Sequence, residues 1–414
     1  MQLGDIGNPD AARFGKPLDG VRILALEQMQ ALPYATQLLG RLGADVVKVE
    51  APGTGDSGRG SRPAMNDPDG RSVGATFLRN NFSKRSICVD LRSPEGRQLV
   101  LDLAPRFDVV AENSKAGSMA KLGLAYDDLA AVHPTVIYAS VSGFGNTVDT
   151  PYKAWPAFAP VIEAMSGMYD LKAVGDEPPV VAPMGALGDI GAGLYAVIGI
   201  LAALRHREAT GEGQYVDIAM LDAVVAMTDI VMNFWSLGLV AGTPAPLIMH
   251  TFRASDGWFV LQVGRPAQFA ALVTLLGHPE WADDPRFATP HDWLDRLDDT
   301  LRPAIEAWAA GSTRQEACAL LAAAGLAAGP VLRDAEVVVD PHLAARDMVV
   351  SVPRTDGVAE PVLVPGNPVR LSKVAMGPET RVPWLGEHTD EVLGSELGLS
   401  PDQIADLRTR HIVT

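Results

Sequence analysis

The sequence predicts an α/β fold built on a parallel sheet with helices on both faces. In the first third of the chain, short apolar segments typical of strands alternate with segments of helical periodicity, an arrangement typical of parallel sheets. The predicted strands are Val21–Glu27, Asp45–Glu50, Ser86–Leu91, Asp108–Asn113 and Thr135–Val141. The predicted helices cover Pro33–Leu42 and Pro94–Leu103, and Ser93 before the second is a favoured capping residue.

After Gly143 the composition changes to segments rich in Pro, Gly and Ala, followed by a long apolar helix that begins near Asp189. A strand and a further helix from about Leu221 come next, and 238–246 is typical of a linker. A different unit begins near Phe252 with a hairpin that turns at Asp256-Gly257 and continues with helices. The end of the chain is rich in Pro, with short strands and a final small helix.

The composition is that of a globular protein with two or three domains' worth of chain: 414 residues, 47% hydrophobic and 20% charged. The formal charge of −16 disfavours nucleic acid and anionic membranes as partners, so an anionic ligand must meet a local group of Lys and Arg. The two cysteines, Cys88 and Cys318, suit a reducing compartment, and we expect neither disulfide nor metal site. No signal-peptide pattern opens the chain, and the apolar run Ile190–Leu204 is too short to span a membrane. We therefore expect a cytoplasmic protein.

One glycine-rich motif invites a dinucleotide-binding interpretation. Gly53–Gly58 matches GxGxxG after a predicted strand, but the residues that follow are incompatible with the helix that must receive the pyrophosphate. We expect a flexible loop there. The motifs GxSxG, HExxH, CxxC and the Walker loop do not occur in the sequence.

Asp189 is the strongest candidate for a chemical role. Apart from Asp176 and Glu177, it is the only charged residue between Ala173 and Leu204, and it is flanked by Gly188 and Gly191 at the start of an apolar helix. One interpretation is a helix cap, which is the commonest use of Asp at such a position. The other is a nucleophile, kept ionised by the helix N-terminus and approached closely past the small residues. The spacing alone leaves both interpretations open.

Ordered blocks over almost the whole chain resemble the class III (family III) CoA-transferases, the group of formyl-CoA and carnitine CoA-transferases, whose superfamily includes 2-methylacyl-CoA racemases. The blocks include PLDGVRILALEQMQALPYATQLLGRLGADVVKVEAPGTGD, NNFSKRSICVDLRSPEGR, VVAENSKAGSMAKLGL and PTVIYASVSGFG. The most specific block is ALGDIGAGLYAVIGILAAL followed by RHREATGEGQYVDIAMLDA, and PWLGEHTDEVLGSELGLS matches near the end.

The resemblance implies a nucleotide-binding-like (Rossmann-type) large domain with a parallel sheet, a smaller inserted α+β domain, and an interlocked, ring-like homodimer. We expect the large CoA-binding domain to comprise 1–220 with 335–414 and the small domain 240–330, joined by linkers at 221–239 and 331–340. Asp189 matches the family's catalytic aspartate, which forms a mixed anhydride and then an aspartyl-CoA thioester. Coenzyme A and acyl-CoA are then substrates, and no cofactor is bound permanently.

The resemblance also implies CoA contacts, which carry over position by position. They are Gln30, Ala31, Val89, Asp90, Leu91, Arg92, Asn113, Ser114, Lys115 and Lys121. Lys121 stands where formyl-CoA transferase has an arginine, and Ala51 replaces another arginine of that enzyme.

Two departures bear on the reaction. The stretch 236–257 lacks the glycine run of formyl-CoA transferase, so we do not expect formyl-CoA and oxalate as substrates. Phe158 stands where the racemases carry a histidine base, with only Glu163 nearby, which favours a transferase over a racemase. An acyl-CoA racemase or epimerase and a non-catalytic acyl-CoA-binding homologue remain the alternatives. The Met-rich region Met220–Met249 suits a medium-sized or branched acyl group, or is simply core.

Overall fold

The structure, a computed structural model, describes residues 1–169, 181, 186–228, 230–238 and 246–414. The chain divides into two compact units. The first is Met1–Ala241 with Pro341–Thr414, and the second is Gly242–Asp340.

The strands, in chain order, are β1 Arg22–Leu26, β2 Asp45–Glu50, β3 Ala64–Asn66, β4 Ser72–Gly74, β5 Arg85–Cys88, β6 Val109–Glu112, β7 Ile137–Ser142, β8 Gln214–Ala219, β9 Ile248–Ala254, β10 Gly257–Val263, β11 Ala327–Pro330, β12 Val349–Val352 and β13 Val362–Pro365. The α-helices are α1 Ala31–Arg41, α2 Ala75–Asn80, α3 Pro94–Leu103, α4 Ser118–Leu122, α5 Tyr126–Val132, α6 Ala159–Met165, α7 Leu187–Thr210, α8 Met220–Met227, α9 Pro266–Leu275, α10 Pro290–Asp295, α11 Arg302–Ala309, α12 Arg314–Ala323, α13 Asp334–Val337, α14 Pro341–Ala345, α15 Thr389–Leu397 and α16 Pro401–Thr409. Single 3-10 or π turns cover Pro9–Phe14, Ser57–Gly60, Ala104–Arg106, Ile230–Phe234, Pro279–Ala282, Pro285–Phe287 and Leu297–Leu301.

The first unit is built on a six-stranded parallel sheet in the order β5-β2-β1-β6-β7-β8. Counted within this sheet alone, that order is the 3-2-1-4-5-6 of doubly wound nucleotide-binding folds, with its reversal between β1 and β6. The five strands predicted in the first third of the chain are all present. The α/β prediction is therefore confirmed at the level of a central parallel sheet.

Alternate residues of each strand point to opposite faces of the sheet, and each face carries its own apolar core. Ile23 and Ala25 of β1 belong to the core covered by α1, α7 and α8. Leu24 and Leu26 belong to the core covered by α3, α5, α15 and α16. The last helices of the chain therefore complete a sheet formed by its first half.

The predicted cap of α3 is present, because the Ser93 Oγ accepts hydrogen bonds from the backbone N–H groups of Glu95 (3.2 Å) and Gly96 (3.4 Å). The predicted linker 221–239 differs from the structure in its first part. There α8 packs Ala223 and Val224 into the core of the first unit, because an apolar helix gains more from burial than a solvated linker would.

The second unit has a three-stranded antiparallel sheet in the order β11-β10-β9, packed with α9–α12 around Phe252, Phe259 and Trp293. The predicted hairpin at Asp256-Gly257 joins β9 to β10. The residues predicted as the second linker, 331–340, include α13 and belong to this unit. Which unit binds coenzyme A stays a prediction.

Helix α7 is the longest helix in the described residues and the one among them that is apolar enough to cross a membrane by length and composition. In the first unit it packs along α1, α8, β7 and β8, and 44% of its most apolar 18-residue stretch is buried. Leu194 and Ile198 are exposed on its other side. The predicted buried helix is thus buried along one face.

Glycines in α7 allow neighbouring helices to approach closely. A Cβ on Gly193 would lie 2.7 Å from the backbone oxygen of Ala31 at the start of α1, and a Cβ on Gly188 would lie 3.2 Å from the Cα of Ala159 in α6. A Cβ on Gly191 would meet only the end of the flexible Met227 side chain. The small residues around Asp189 therefore serve helix packing.

We expect Gly193→Ala to lower the free energy of unfolding by about 1–3 kcal/mol, because the new methyl group would push α1 away from α7. Gly191→Ala is the matched control, since it adds the same methyl group where a side chain can move aside. Urea unfolding followed by circular dichroism measures both. Equal stability of the two variants would contradict this account of the packing.

Candidate active site

A cavity of about 450 Å³ opens at the carboxyl ends of β1, β6 and β7, where the strand order reverses. Doubly wound sheets bind their ligands at this place, because the loops on either side of the reversal separate and leave a crevice. The lining residues are Gln28, Met29, Gln30, Ala31, Ser57, Thr76, Asn113, Ser114, Lys115, Ala116, Val141, Ser142, Gly143, Lys153, Trp155, Pro156, Ala157, Phe158, Ala186, Asp189 and Met220.

The loops after β1 and β6 are joined across this crevice. The backbone N–H of Gln28 donates to the Asn113 Oδ1 at 2.9 Å, and the Asn113 Nδ2 donates to the backbone oxygen of Gln28 at 2.9 Å. This pair of bonds fixes the two loops against one another. Five predicted CoA contacts line the same cavity as Asp189: Gln30, Ala31, Asn113, Ser114 and Lys115.

The other five predicted contacts do not line this cavity. Val89 is buried and pairs with Val413, while Leu91 packs against the core on the α3 side of the sheet. Arg92 is exposed and forms an ion pair with Asp90 at 2.9 Å, and Lys121 is exposed on α4. Their roles in binding coenzyme A stay predictions.

Asp189 is the third residue of α7, and a different acid satisfies the N-terminus of that helix. The backbone N–H of Gly188 donates to the Glu163 Oε1 at 3.1 Å, and the Tyr169 hydroxyl donates to the Glu163 Oε2 at 2.6 Å. Glu163 is buried, whereas Asp189 is half-buried and faces the cavity. Within the described part of the chain, the Asp189 carboxylate accepts no hydrogen bond. The geometry therefore assigns the capping role to Glu163.

Burial and the nearby negative charge of Glu163 raise the pKa of Asp189 to about 6. The sequence suggested that the helix N-terminus keeps this carboxylate ionised, but burial and the charge of Glu163 outweigh that effect. Asp189 is still mainly ionised at pH 7, and it is more basic than an ordinary aspartate. A basic carboxylate without hydrogen bonds is well suited to attack a carbonyl carbon.

Two neighbours of Asp189 went unrecognised as site residues at the sequence level. Glu163 interrupts the apolar segment PAFAPVIEAMSG, and a lone acid in such a segment is a signal of a buried polar role. Lys153 gave no signal, since a lysine in a polar loop is normally solvated. Phe158, which occupies the position of the racemase base, lines the cavity and brings no titratable group to it.

A buried network of charges supports the loop after β1. It contains three cations, Lys48, Lys84 and Arg59, and three anions, Glu27, Glu50 and Asp56. The Lys48 Nζ lies 2.8 Å from the Asp56 Oδ2 and donates to the backbone oxygen of Glu27 at 3.0 Å. Burial would lower the pKa of Lys48, but Asp56, Glu27 and Glu50 together raise it above its usual value. Lys48 therefore stays charged.

Asp56 connects this network to the cavity. Its Oδ1 accepts from the backbone N–H of Met29 at 2.7 Å and from that of Gly58 at 2.7 Å. Met29 has a left-handed backbone (φ 62°), which a residue with a side chain adopts only when its surroundings impose it. The loop expected at Gly53–Gly58 is present, and Asp56 anchors it, because this residue is buried, its Oδ1 accepts backbone hydrogen bonds and its Oδ2 forms the ion pair with Lys48.

Comparisons with known proteins bear on this site. The family model described as CoA-transferase family III matches residues 18–389. The chain is 36% identical to the formyl-CoA:oxalate CoA-transferase of Streptomyces avermitilis, over 96% of this chain and 100% of that protein. It is 34% identical to the succinyl-CoA–D-citramalate CoA-transferase of Chloroflexus aurantiacus, over 96% of this chain and 98% of that protein. It is 35% identical to the succinate–glutarate CoA-transferase of Agrobacterium fabrum, over 91% of this chain and 95% of that protein. Among solved structures, a CAIB/BAIF family protein from Brucella suis matches with a TM-score of 0.80 and 36% identity, over 92% of this chain and 99% of that one.

We expect Asp56→Asn to weaken the binding of coenzyme A and to lower the free energy of unfolding by about 3–5 kcal/mol, because it leaves Lys48 without its nearest carboxylate and loosens Met29. The control is Asp67→Asn, another buried aspartate, which holds the turn between β3 and β4 through the backbone N–H groups of Asp69 and Arg71. Isothermal titration with coenzyme A gives the Kd of each folded variant. An unchanged Kd for Asp56→Asn would contradict the proposed support of the loop.

We expect activity to fall below about pH 6, as the Asp189 carboxylate takes up a proton, and to reach roughly one tenth of its plateau near pH 5. Glu163→Gln keeps one oxygen acceptor for the Gly188 N–H and turns an amide N–H toward the Tyr169 hydroxyl, which can accept from it. The negative charge is removed, so the pKa of Asp189 falls and the acid limb of kcat/KM moves to lower pH. Tyr169→Phe, which leaves the Glu163 charge in place, serves as the control. The account fails if the limb of Glu163→Gln coincides with that of the unmodified protein.

Proposed function

Because the chain belongs to CoA-transferase family III, we propose that Asp189 carries the acyl group and then coenzyme A between two carboxylic acids. The chain is an enzyme of the acyl-CoA:carboxylate CoA-transferase type. The observation that carries the role of Asp189 is its carboxylate, which faces the cavity without a hydrogen bond in the described residues while Glu163 caps the helix. A structural aspartate at a helix start would instead bond the free N–H groups.

The proposed reaction has four steps. The Asp189 carboxylate attacks the thioester carbonyl of the donor acyl-CoA, which forms a mixed anhydride and releases the CoA thiolate. The thiolate attacks the Asp189 carbonyl, giving an aspartyl-CoA thioester and the free donor acid. The acceptor carboxylate attacks the carbonyl of that thioester, which forms a second anhydride and releases the CoA thiolate. The thiolate then attacks the acceptor carbonyl, which yields the new acyl-CoA and restores the Asp189 carboxylate.

Water would hydrolyse both the anhydride and the thioester, so these intermediates need a site with apolar walls that reduce the access of water. Trp155, Phe158 and Met220 supply apolar lining to the cavity that Asp189 faces. Gln30, Ala31 and the turn Asn113–Lys115 are the proposed CoA contacts within reach of the same space. The further contacts at Val89–Arg92 and Lys121 remain part of the proposal.

The substrates are the open part of this proposal. By their names, the relatives above act on formyl-CoA and oxalate, on succinyl-CoA and citramalate, and on succinate and glutarate, so each name includes at least one dicarboxylic acid. We propose small dicarboxylic acids as substrates of this chain. The exclusion of formyl-CoA and oxalate rests on the stretch 236–257, of which 239–245 lie outside the described residues, so it stays a prediction. The medium-sized or branched acyl group suggested by Met220–Met249 also stays a prediction, although Met220 lines the cavity.

We also propose a cytoplasmic homodimer with interlocked subunits. Its support is the exposed apolar surface of the first unit, which includes Leu194 and Ile198 on α7 and Trp235 and Leu237 beyond α8. Coenzyme A takes part as a substrate and not as a resident cofactor.

Asp189→Ala should lower kcat by at least about a thousandfold while coenzyme A still binds, because the covalent route is lost. In the unmodified protein, incubation with the donor acyl-CoA and hydroxylamine should inactivate the enzyme and leave a hydroxamate on the Asp189 peptide, as read by mass spectrometry. Incubation without the donor is the control.

Two outcomes would contradict the proposal. Exchange of the α-hydrogen of the acyl-CoA in heavy water, without any acceptor, would identify a racemase. Binding of acyl-CoA with neither exchange nor hydroxamate would identify a non-catalytic binder.

A further inference from the structure

Three charged side chains line the cavity in the described part of the chain: Asp189, Lys115 and Lys153. Neither lysine forms an ion pair with an acid of the described residues, although acids outnumber basic residues in this sequence, 50 to 34. A cation that lines a cavity without an ion-pair partner attracts an anionic ligand. The two lysines therefore favour substrates that carry negatively charged groups.

The lysines differ in where they lie. Lys115 is exposed in the turn after β6, beside Asn113 and Ser114, which are proposed contacts of coenzyme A. Lys153 is half-buried on a separate segment, between β7 and α6. The following residues of that segment, Trp155 to Phe158, line the same cavity.

The segment that carries Lys153 leads into α6, which packs against the first turn of α7, where Asp189 lies. Ala159 of α6 lies against Gly188, where an added Cβ would come within 3.2 Å of the Ala159 Cα. Four residues further, Glu163 accepts the hydrogen bond of the Gly188 N–H. Lys153 therefore belongs to the wall of the cavity that is fixed to the nucleophile, whereas Lys115 belongs to the wall formed by the loop after β6.

Both lysines also line a second cavity of about 310 Å³, which adjoins the first at these two residues. The acids Glu112 and Asp127 line this second cavity as well, so a carboxylate is favoured at the lysines rather than further inside. Tyr126, Tyr138 and Tyr215 pack against one another along it. A substrate acid in the first cavity thus has space beyond its reacting end, with Lys153 at the junction.

We propose that Lys153 binds the second carboxylate of a dicarboxylic acid whose first carboxylate reacts with Asp189. This inference rests on the proposed function and adds the residue that would select its substrate class. The ammonium group donates charge-assisted hydrogen bonds to the distal carboxylate, and Trp155 and Phe158 contact the carbon chain. A monocarboxylic acid leaves the ammonium group without a partner.

The test compares acceptors of equal chain length that differ in one carboxylate: butyrate with succinate, and valerate with glutarate. Lys153→Met keeps the length of the side chain and removes its charge, and Lys153→Arg keeps the charge. We expect Lys153→Met to lower the ratio of kcat/KM for the dicarboxylic over the monocarboxylic acid by about ten- to a hundredfold, and Lys153→Arg to restore most of that ratio. The Kd of coenzyme A should not change, whereas Lys115→Met, the matched control, should raise it and leave the ratio alone.

An equal loss for both acids in Lys153→Met would overturn the inference. So would a raised Kd of coenzyme A with an unchanged ratio, since Lys153 would then bind a phosphate of the coenzyme. Preference of the unmodified protein for the monocarboxylic acids would overturn it as well. Failure of the proposed function itself shows differently: no donor would then give the hydroxamate on Asp189, in the unmodified protein or in Lys153→Met.

Discussion

The interaction on which the site depends is the buried contact of Lys48 with Asp56 and Glu27. Lys48 lies inside β2 with no exposed side-chain surface, and a charge in that position is tolerated only when acids surround it. Lys84 supplies a second contact, donating to the Glu27 Oε1 at 2.6 Å, and Arg59 pairs with Glu50 at 2.6 Å. Three buried cations and three buried anions thus join the central strands to the loops that follow them. The left-handed backbone of Met29, which lines the cavity, depends on these ion pairs through its hydrogen bond to Asp56.

The second constraint is that Glu163 caps the start of α7, which leaves the Asp189 carboxylate free to face the cavity. A helix N-terminus attracts a carboxylate, and the nearest one would ordinarily be consumed as a cap. Glu163 takes that role from another helix, so the Asp189 carboxylate is left toward the cavity. Burial, together with the second negative charge that this arrangement places near Asp189, raises the pKa of Asp189 to about 6. Gly188 allows Glu163 to reach the start of α7, because a side chain at this position would push α6 away from α7.

The family resemblance supplied Gln30, Asn113 and Lys115 as site residues, and the order of the strands explains why they converge at one edge of the parallel sheet. The apolar run after Asp189 predicted α7. The sequence did not reveal hydrogen bonds between residues far apart in the chain. The bond from Met29 to Asp56 spans 27 positions and that from Gly188 to Glu163 spans 25, and neither has a local pattern. Arg92 carried over from the family resemblance, yet its side chain is 90% exposed and paired with Asp90.

The central claim is that Asp189 exchanges oxygen atoms with the substrate acids, and isotope labelling tests it most directly. Each complete transfer moves one carboxylate oxygen of the acceptor acid into the Asp189 side chain, because the thiolate cleaves the second anhydride at the acceptor carbonyl. With an acceptor acid labelled in both carboxylate oxygens with ¹⁸O, a single turnover should therefore place ¹⁸O in the Asp189 peptide, detected by mass spectrometry after digestion. Further turnovers with unlabelled acceptor should release that label in the free donor acid. Transfer of coenzyme A with no ¹⁸O in the Asp189 peptide would contradict the account.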